Sequence, residues 1–469
     1  MTVEKNSDLV NFPDRKRHWR QDTAKTRLVN PYSLEFLDFA MKYPLSEFGQ
    51  RLALDSGIGE LMQDLGEALA SGDSTICMLG GGQPSHIEAV DKIWQQRVQS
   101  LAADRGQLMQ MLGDYQPPAG DLQFRQTVAE CFCEEFGWPI SEKNVCITAG
   151  GQTAFFLLLN ALAGQFADGT RKRILLPLVP EYIGYADQGV SGDLFQAVRP
   201  KIELIGDHEF KYAIDFDAIE IDETIAAMVI SRPTNPSSNV VTDEELAHLA
   251  ELAKQHSIPL IVDNAYGDPF PGVIFTDTKP MWTESMVLTF SLSKLGLPGT
   301  RTGIVIADEP IIQALTSMNA ITALANNNVG QQIVQPMIAD GSLLEMSREV
   351  ITPYYRQRAE ATRQWIAEAF GDDVPYRLHR SEGAFFLWLW LPELPITSET
   401  LYHRLKARNV LVISGHYFFF GLDDPNWRHR DQCLRISFTA PEPQLRRGIE
   451  TLADELRTIH QEAKSHQEA

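Results

Sequence analysis

The stretch MVLTFSLSKLGLPGTRTGIVIA (286–307) decides the fold. It reads as two strands, 286–293 and 301–307, apolar at their outer ends and polar where they meet. A strand with one wet face alternates apolar and polar residues. A run that is apolar almost throughout is buried on both faces, as in a mostly parallel sheet covered by helices. Working outward, four more segments have the same character: VCITAG (145–150), KRILLPLV (172–179), AAMVISRP (226–233) and PLIVDNAY (259–266). Between several of them lie helical patterns, notably 152–164 and 243–257. The expectation is an α/β fold, a mostly parallel sheet between helices.

With 469 residues the chain is longer than one core usually spans, so more than one domain is expected. Residues 101–337 form the large domain in this reading. Residues 46–100 and 338–469 form a smaller α+β domain, with a helix near 87–103, a short strand at 75–82, a helical connector at 338–370, strands at 384–391, 410–415 and 433–438, and a closing helix at 442–465. Apolar residues at helical spacing (Leu54, Ile58, Leu61, Leu65, Leu69) open it. Residues 1–45 read as an extension with one basic cluster, Arg15 to Arg20, which fits a solvated arm better than an anion-binding or targeting one.

Hydrophobic residues make up 44% and charged residues 22%, and the net charge is −21. That balance argues against a nucleic-acid partner and requires local positive sites for any anionic ligand. Five cysteines without a CxxC pair fit neither a disulfide framework nor a zinc site and suggest a reducing cytoplasm. No metal is expected. The longest apolar runs, 153–159 and 384–391, fall far short of the about 20 residues a membrane helix needs, and the N-terminus has no signal-peptide pattern.

In an open α/β sheet, ligands bind beyond the carboxyl ends of the strands. Strand 145–150 runs through Gly150, Gly151 and Gln152 directly into a helix, and a helix N-terminus suits a phosphate. The next tips carry Thr234-Asn235-Pro236, then Asp263-Asn264-Ala265-Tyr266, then Ser291-Leu292-Ser293-Lys294 with Arg301 seven residues on. A lone lysine or aspartate at a strand end is ordinary surface. This ordered collection of anion cradle, amide, carboxylate, phenol and amine is not.

The segments SRPTNP (231–236), VDNAY (262–266) and SLSKLGLPGTRTG (291–303) resemble the class I/II aminotransferases of the fold-type I pyridoxal-phosphate superfamily. The resemblance covers about residues 46–462. It implies pyridoxal 5'-phosphate as cofactor and a homodimer with a shared active site. Lys294 would form the imine and shuttle the proton. Asp263 would pair with the pyridine nitrogen, and Asn235 and Tyr266 with the ring oxygen. Ser291, Ser293, Arg301 and the amides of Gly151 and Gln152 would face the phosphate. Tyr182 would stack on the ring, and Tyr115, in YQPPAGDLQFR (115–125), would reach the phosphate of the neighbouring subunit. Arg435 would clamp the substrate carboxylate, with Asn235 beside it and Gly81 or Gly82 as backbone contact. Two departures stand out. The Lys294–Arg301 interval is one residue shorter than in many relatives, and Gly151 replaces a hydroxyl residue.

Loop segments beyond the shared motifs, including PLVPEYIGYAD (177–187) and SGHYFFFGLD (414–423), resemble one branch of that family. It exchanges an amino group between L-valine and pyruvate, giving 3-methyl-2-oxobutanoate and L-alanine. A dicarboxylate substrate would call for a further cation, for which Arg232 and His416 are candidates. Phe418, Phe419, Phe420 and Trp388 would form either an apolar substrate wall or ordinary core. A carbon–sulfur lyase, a transaminase of broader range, or a regulator on the same fold are the competing readings.

Overall fold

The computed structural model describes residues 43–53 and 56–468. The basic cluster at 15–20 and Leu54 lie outside these. The main sheet has eight strands. Its central row runs Arg171–Leu176, Ile225–Ser231, Leu260–Asp263 and Met286–Ser291, all parallel, and then turns antiparallel through Gly303–Ile306 to Val145–Thr148. Phe195–Ala197 and Gly164–Gln165 both add to Arg171–Leu176. Val145–Thr148, Met286–Ser291 and Gly303–Ile306 are buried at every position, which is why their sequences do not alternate.

Register matters more than strand count here. Ser231, Asp263 and Thr289 stand in one row across three neighbouring strands. The carboxyl ends of the parallel strands thus deliver their polar residues side by side.

The helices on this sheet start where local chemistry supports them. In Asp243–Gln255, Thr242 caps the first turn and Glu245 returns the bond to the Thr242 amide, a capping box worth roughly 1 kcal/mol. Its buried stripe is Leu246, Leu249, Ala250 and Ala253. Helix Gly151–Leu162 differs: its N-cap is Gly150, and no side chain caps it.

A second sheet of six strands runs Ile413–Ser414, Cys433–Ser437, Phe386–Trp390, Arg377–His379, Glu209–Ala213 and Lys201–Ile205. The last two come from the middle of the segment expected to lie wholly in the large domain. Glu209–Ala213 buries every second residue, Phe210 and Tyr212. That alternation fits a sheet with one solvated face rather than the doubly covered main sheet. The segment 410–415 is not one strand: Val410–Leu411 pairs with Cys77–Met78, and Ile413–Ser414 pairs with Leu434 and Arg435. The connector at 338–370 is also divided, into Ser342–Met346, a wide turn at Ser347–Ile351 and Thr352–Phe370. Gly341, at φ +77°, separates it from the helix before. Among the described residues, no helix is long and apolar enough to cross a membrane.

Candidate active site

The strand tips open on a cavity of about 630 Å³. Lys294 sits in the tight turn Leu292–Leu295 that follows Met286–Ser291, with Ser291 Oγ accepting from the Ser293 amide at 3.2 Å. Its Nζ donates to the Gly82 carbonyl at 2.7 Å and lies 5.2 Å from the centre of the Tyr266 ring. Burial, with the cations of Arg435 and Arg301, pulls the amine down to about 8 against the opposing pull of Asp263. An amine so placed is neutral, and therefore nucleophilic, far more often than a surface lysine.

Asp263 ends its strand facing the same cavity. Leaving a buried carboxylate unpartnered costs several kcal/mol, and three donors offset that cost. They are the Ala265 amide at 2.9 Å, Thr289 Oγ1 at 3.2 Å and the Tyr185 hydroxyl. Desolvation still raises its pKa above the usual carboxylate range. Such a group is best stabilised by a cation brought to it.

The opposite end of the cavity is built for an anion. The uncapped start of helix Gly151–Leu162 brings Gly151 and Gln152 to the wall, with Ser291, Ser293 and Arg301 beside them. The Arg301 guanidinium lies directly over Gly150 and, among the described residues, is held by 3.4 Å contacts to Pro298 O and Ala149 O. Gly150 is at φ +91°, and a Cβ there would come within 2.3 Å of Arg301 Nη2. Gly150→Ala is therefore expected to destabilise the fold by about 1–3 kcal/mol and to displace Arg301. The expected readout is a lower Tm together with weaker protection by inorganic phosphate. An unchanged phosphate effect would remove Arg301 from this cradle.

Arg435 enters from the other sheet, on Cys433–Ser437, and is 1% exposed. Its Nη1 donates to Asn235 Oδ1 at 2.7 Å and its Nη2 to the Gly80 carbonyl at 2.6 Å, while Nε has no partner. The rings of Phe386 and Phe418 lie 4.2 and 5.4 Å from its guanidinium carbon. No carboxylate among the described residues pairs with it. Burial lowers its pKa to about 10. A buried, unpaired guanidinium on the same cavity as Lys294 is a site for a carboxylate that arrives with a ligand.

The model of the family "Aminotransferase class I and II" matches residues 79–452. The chain belongs to that family. It is 45% identical over 412 residues to the valine–pyruvate aminotransferase of Escherichia coli K12, covering 88% of this chain and 97% of that protein. The crystal structure of valine-pyruvate aminotransferase from Salmonella typhimurium LT2 superposes with a TM-score of 0.79 at 43% identity, over 86% of this chain and 100% of that one. Aspartate aminotransferase from Thermus thermophilus shares the fold, with a TM-score of 0.68 at 19% identity over 88% and 100%.

For this aminotransferase the cavity gathers Gly82, Gly151, Gln152, Tyr182, Asn235, Asp263, Tyr266, Ser291, Ser293, Lys294, Arg301 and Arg435. Gly82, not Gly81, lines it. Tyr115 is 84% exposed and does not line the cavity. Phe418, Phe419 and Trp388 are fully buried core, and none of them reaches the cavity. The apolar wall comes instead from helix Gly57–Ser71, through Ile58, Leu61, Met62 and Leu65. Arg232 points away, its Nη2 on Asp243 Oδ1 at 2.6 Å. His416 is bonded to Ser414 Oγ at 2.8 Å and is no lining residue. Among the described residues, the lining cations are Lys294, Arg301 and Arg435.

Two contributors escape a reading of the sequence: Tyr185, which holds Asp263, and Glu181, buried behind it. Tyr185 lies one tight turn beyond Tyr182, with the rings perpendicular and 5.2 Å apart. The hydrogen bond to Asp263, far away in the chain, tells the two tyrosines apart.

Proposed function

We propose that this chain is a pyridoxal-phosphate-dependent transaminase that exchanges the amino group between L-valine and pyruvate. The observation that carries the reading is Arg435, a buried cation without a carboxylate, facing the same cavity as a lysine of lowered basicity. The donor set fits the cofactor. Gly151, Gln152, Ser291, Ser293 and Arg301 would take its phosphate, Asp263 its ring nitrogen, Asn235 and Tyr266 its ring oxygen, and Tyr182 the ring face. Bound there, pyridoxal phosphate supplies an electron sink and a carrier for the amino group.

The chain's own residues do the rest. Arg435 clamps the substrate carboxylate through its planar fork, which fixes the α-carbon over Lys294. Lys294 Nζ takes the α-proton and returns it, because its lowered basicity keeps it neutral near working pH. Asp263, steadied by Tyr185 and Thr289, remains the anion that favours a protonated ring nitrogen. Ile58, Leu61, Met62 and Leu65 give a branched aliphatic side chain an apolar surface and keep water away. Their chemistry, the lining cations and the 45% identical relative together favour a small aliphatic substrate. Tyr115, exposed in one copy, fits a homodimer in which it reaches the partner's phosphate site, and five free cysteines fit a reducing, cytoplasmic setting.

Half-reactions test the reading. L-valine and L-alanine should each bleach the visible band of the cofactor-loaded protein, and pyruvate should restore it. If both fail while glutamate or phenylalanine works, the substrate assignment is wrong. Pyruvate release from cystathionine without an amino acceptor would point to a lyase.

A further inference from the structure

Glu181 is 0% exposed and belongs to no ion pair among the described residues. It precedes Tyr182, and its backbone amide is fixed by the Phe418 carbonyl at 2.9 Å. Its carboxyl contacts are with the Ser231 amide at 2.7 Å, Ser231 Oγ at 2.6 Å and the Tyr182 amide at 3.1 Å. Ser231 stands opposite Asp263 in the strand register. The Tyr185 hydroxyl donates to Asp263 from the neighbouring turn. A second carboxyl thus lies on the strand neighbour of the first, with no ion-pair partner among the described residues. Burial, reinforced by the Asp263 charge, raises Glu181 to about 8. The titratable groups that face this chain are Asp263, Tyr182 and Tyr185. Lys294, Arg435 and Arg301 act on its cavity end.

We propose that Glu181, held on the strand neighbour of Asp263, is a positioning residue whose charge sets how strongly Asp263 holds the cationic ring in front of it. The inference rests on the pyridoxal-phosphate reading above. When Glu181 is protonated, its O–H donates to Ser231 Oγ and the carboxyl places no charge behind Asp263. When it is ionised, Ser231 turns its proton to Glu181, and a second negative charge stands behind Asp263. The ionised form favours the protonated ring more strongly. Glutamine at 181 keeps the size and the acceptor for the Ser231 amide but imitates only the neutral form.

The test compares wild type with Glu181→Gln, reading pyridoxal-phosphate affinity of the apo-protein and the pH midpoint of the visible band of the loaded protein. At about pH 6 the two proteins should bind the cofactor within roughly twofold, and at about pH 9 the variant should bind roughly fivefold or more weakly. The spectral midpoint of the variant should fall by about half a pH unit or more. A purely structural role would shift affinity by the same factor at every pH, and that result overturns the proposal. Ser231→Ala retains the carboxyl but removes the hydroxyl that donates to it. The pH at which cofactor affinity strengthens should therefore move up, and this variant covers the case of a glutamine variant that does not fold. If wild type takes no cofactor at all, the functional reading falls and this inference with it. If wild type is loaded and both variants keep its pH profile, only this inference falls.

Discussion

Replacing Lys294 by Ala is expected to lower turnover by roughly 10⁴-fold or more, because in the proposed mechanism one side chain supplies both the amine that binds the cofactor and the base that moves the α-proton. The visible band should vanish. Tm should change little, since Lys294 makes one hydrogen bond, to the Gly82 carbonyl, and neutral bonds of that kind contribute about 1 kcal/mol. Persistence of the band together with turnover would sink the assignment. The wild-type lysine carries a pH signature as well. Its amine is pulled down to about 8, and only the neutral form attacks a carbonyl. Cofactor capture by the apo-protein should therefore quicken as pH rises through about 8 and level off above it. For a base whose pKa is depressed on folding, the unfolded chain binds more protons above that value. Folding stability from this group thus rises between about 8 and the ordinary lysine range. A capture rate flat across that window would contradict the lowered basicity.

Asp263→Asn should be the next most severe change. The asparagine can still accept from the Ala265 amide and from Thr289 Oγ1, so the fold is retained. What disappears is the negative charge. Removing one partner of a buried charge pair costs about 3–5 kcal/mol; expressed in the transition state, that is a rate loss of roughly 10²–10⁴-fold. The measurement is single-turnover conversion of L-valine by protein whose cofactor content matches wild type. If conversion proceeds at the wild-type rate, Asp263 does not face the ring nitrogen. Because Tyr185 donates to the same carboxylate, the two positions act as a unit and their effects will not add.

The glutamate behind Asp263 shows how tertiary structure changes the meaning of a residue. In sequence, Glu181 is an acid after a proline in a loop. In the fold, strand register sets Ser231 beside Asp263, and Glu181 becomes part of the environment of that cavity carboxylate. The aromatic run at 418–420 changes in the other direction. It looks like a substrate wall, but Phe418 and Phe419 face inward as core. The hydrophobic wall of the cavity belongs to a helix more than 350 residues earlier in the chain. Helical spacing of Ile58, Leu61 and Leu65 is legible without a structure. The surface that this face covers is not.

The main sheet was determined by the sequence alone, since apolar runs without alternation admit little other than burial on both faces. So was the set of strand-end residues with Lys294 among them, because ligand sites follow the carboxyl ends of parallel strands. Arg435 was legible as a candidate for the substrate carboxylate through the family resemblance. Tertiary structure alone decided that it is buried and unpaired, through the pairing of Cys433–Ser437 between Phe386–Trp390 and Ile413–Ser414. It also decided that the hairpin 201–213 joins the second sheet, that Gly82 rather than Gly81 meets Lys294, and that Tyr185 rather than Tyr182 holds Asp263. Each of these depends on contacts between segments far apart in the chain. In the hairpin 201–213 a one-residue slip would turn every side chain to the other face, and no local pattern encodes such choices.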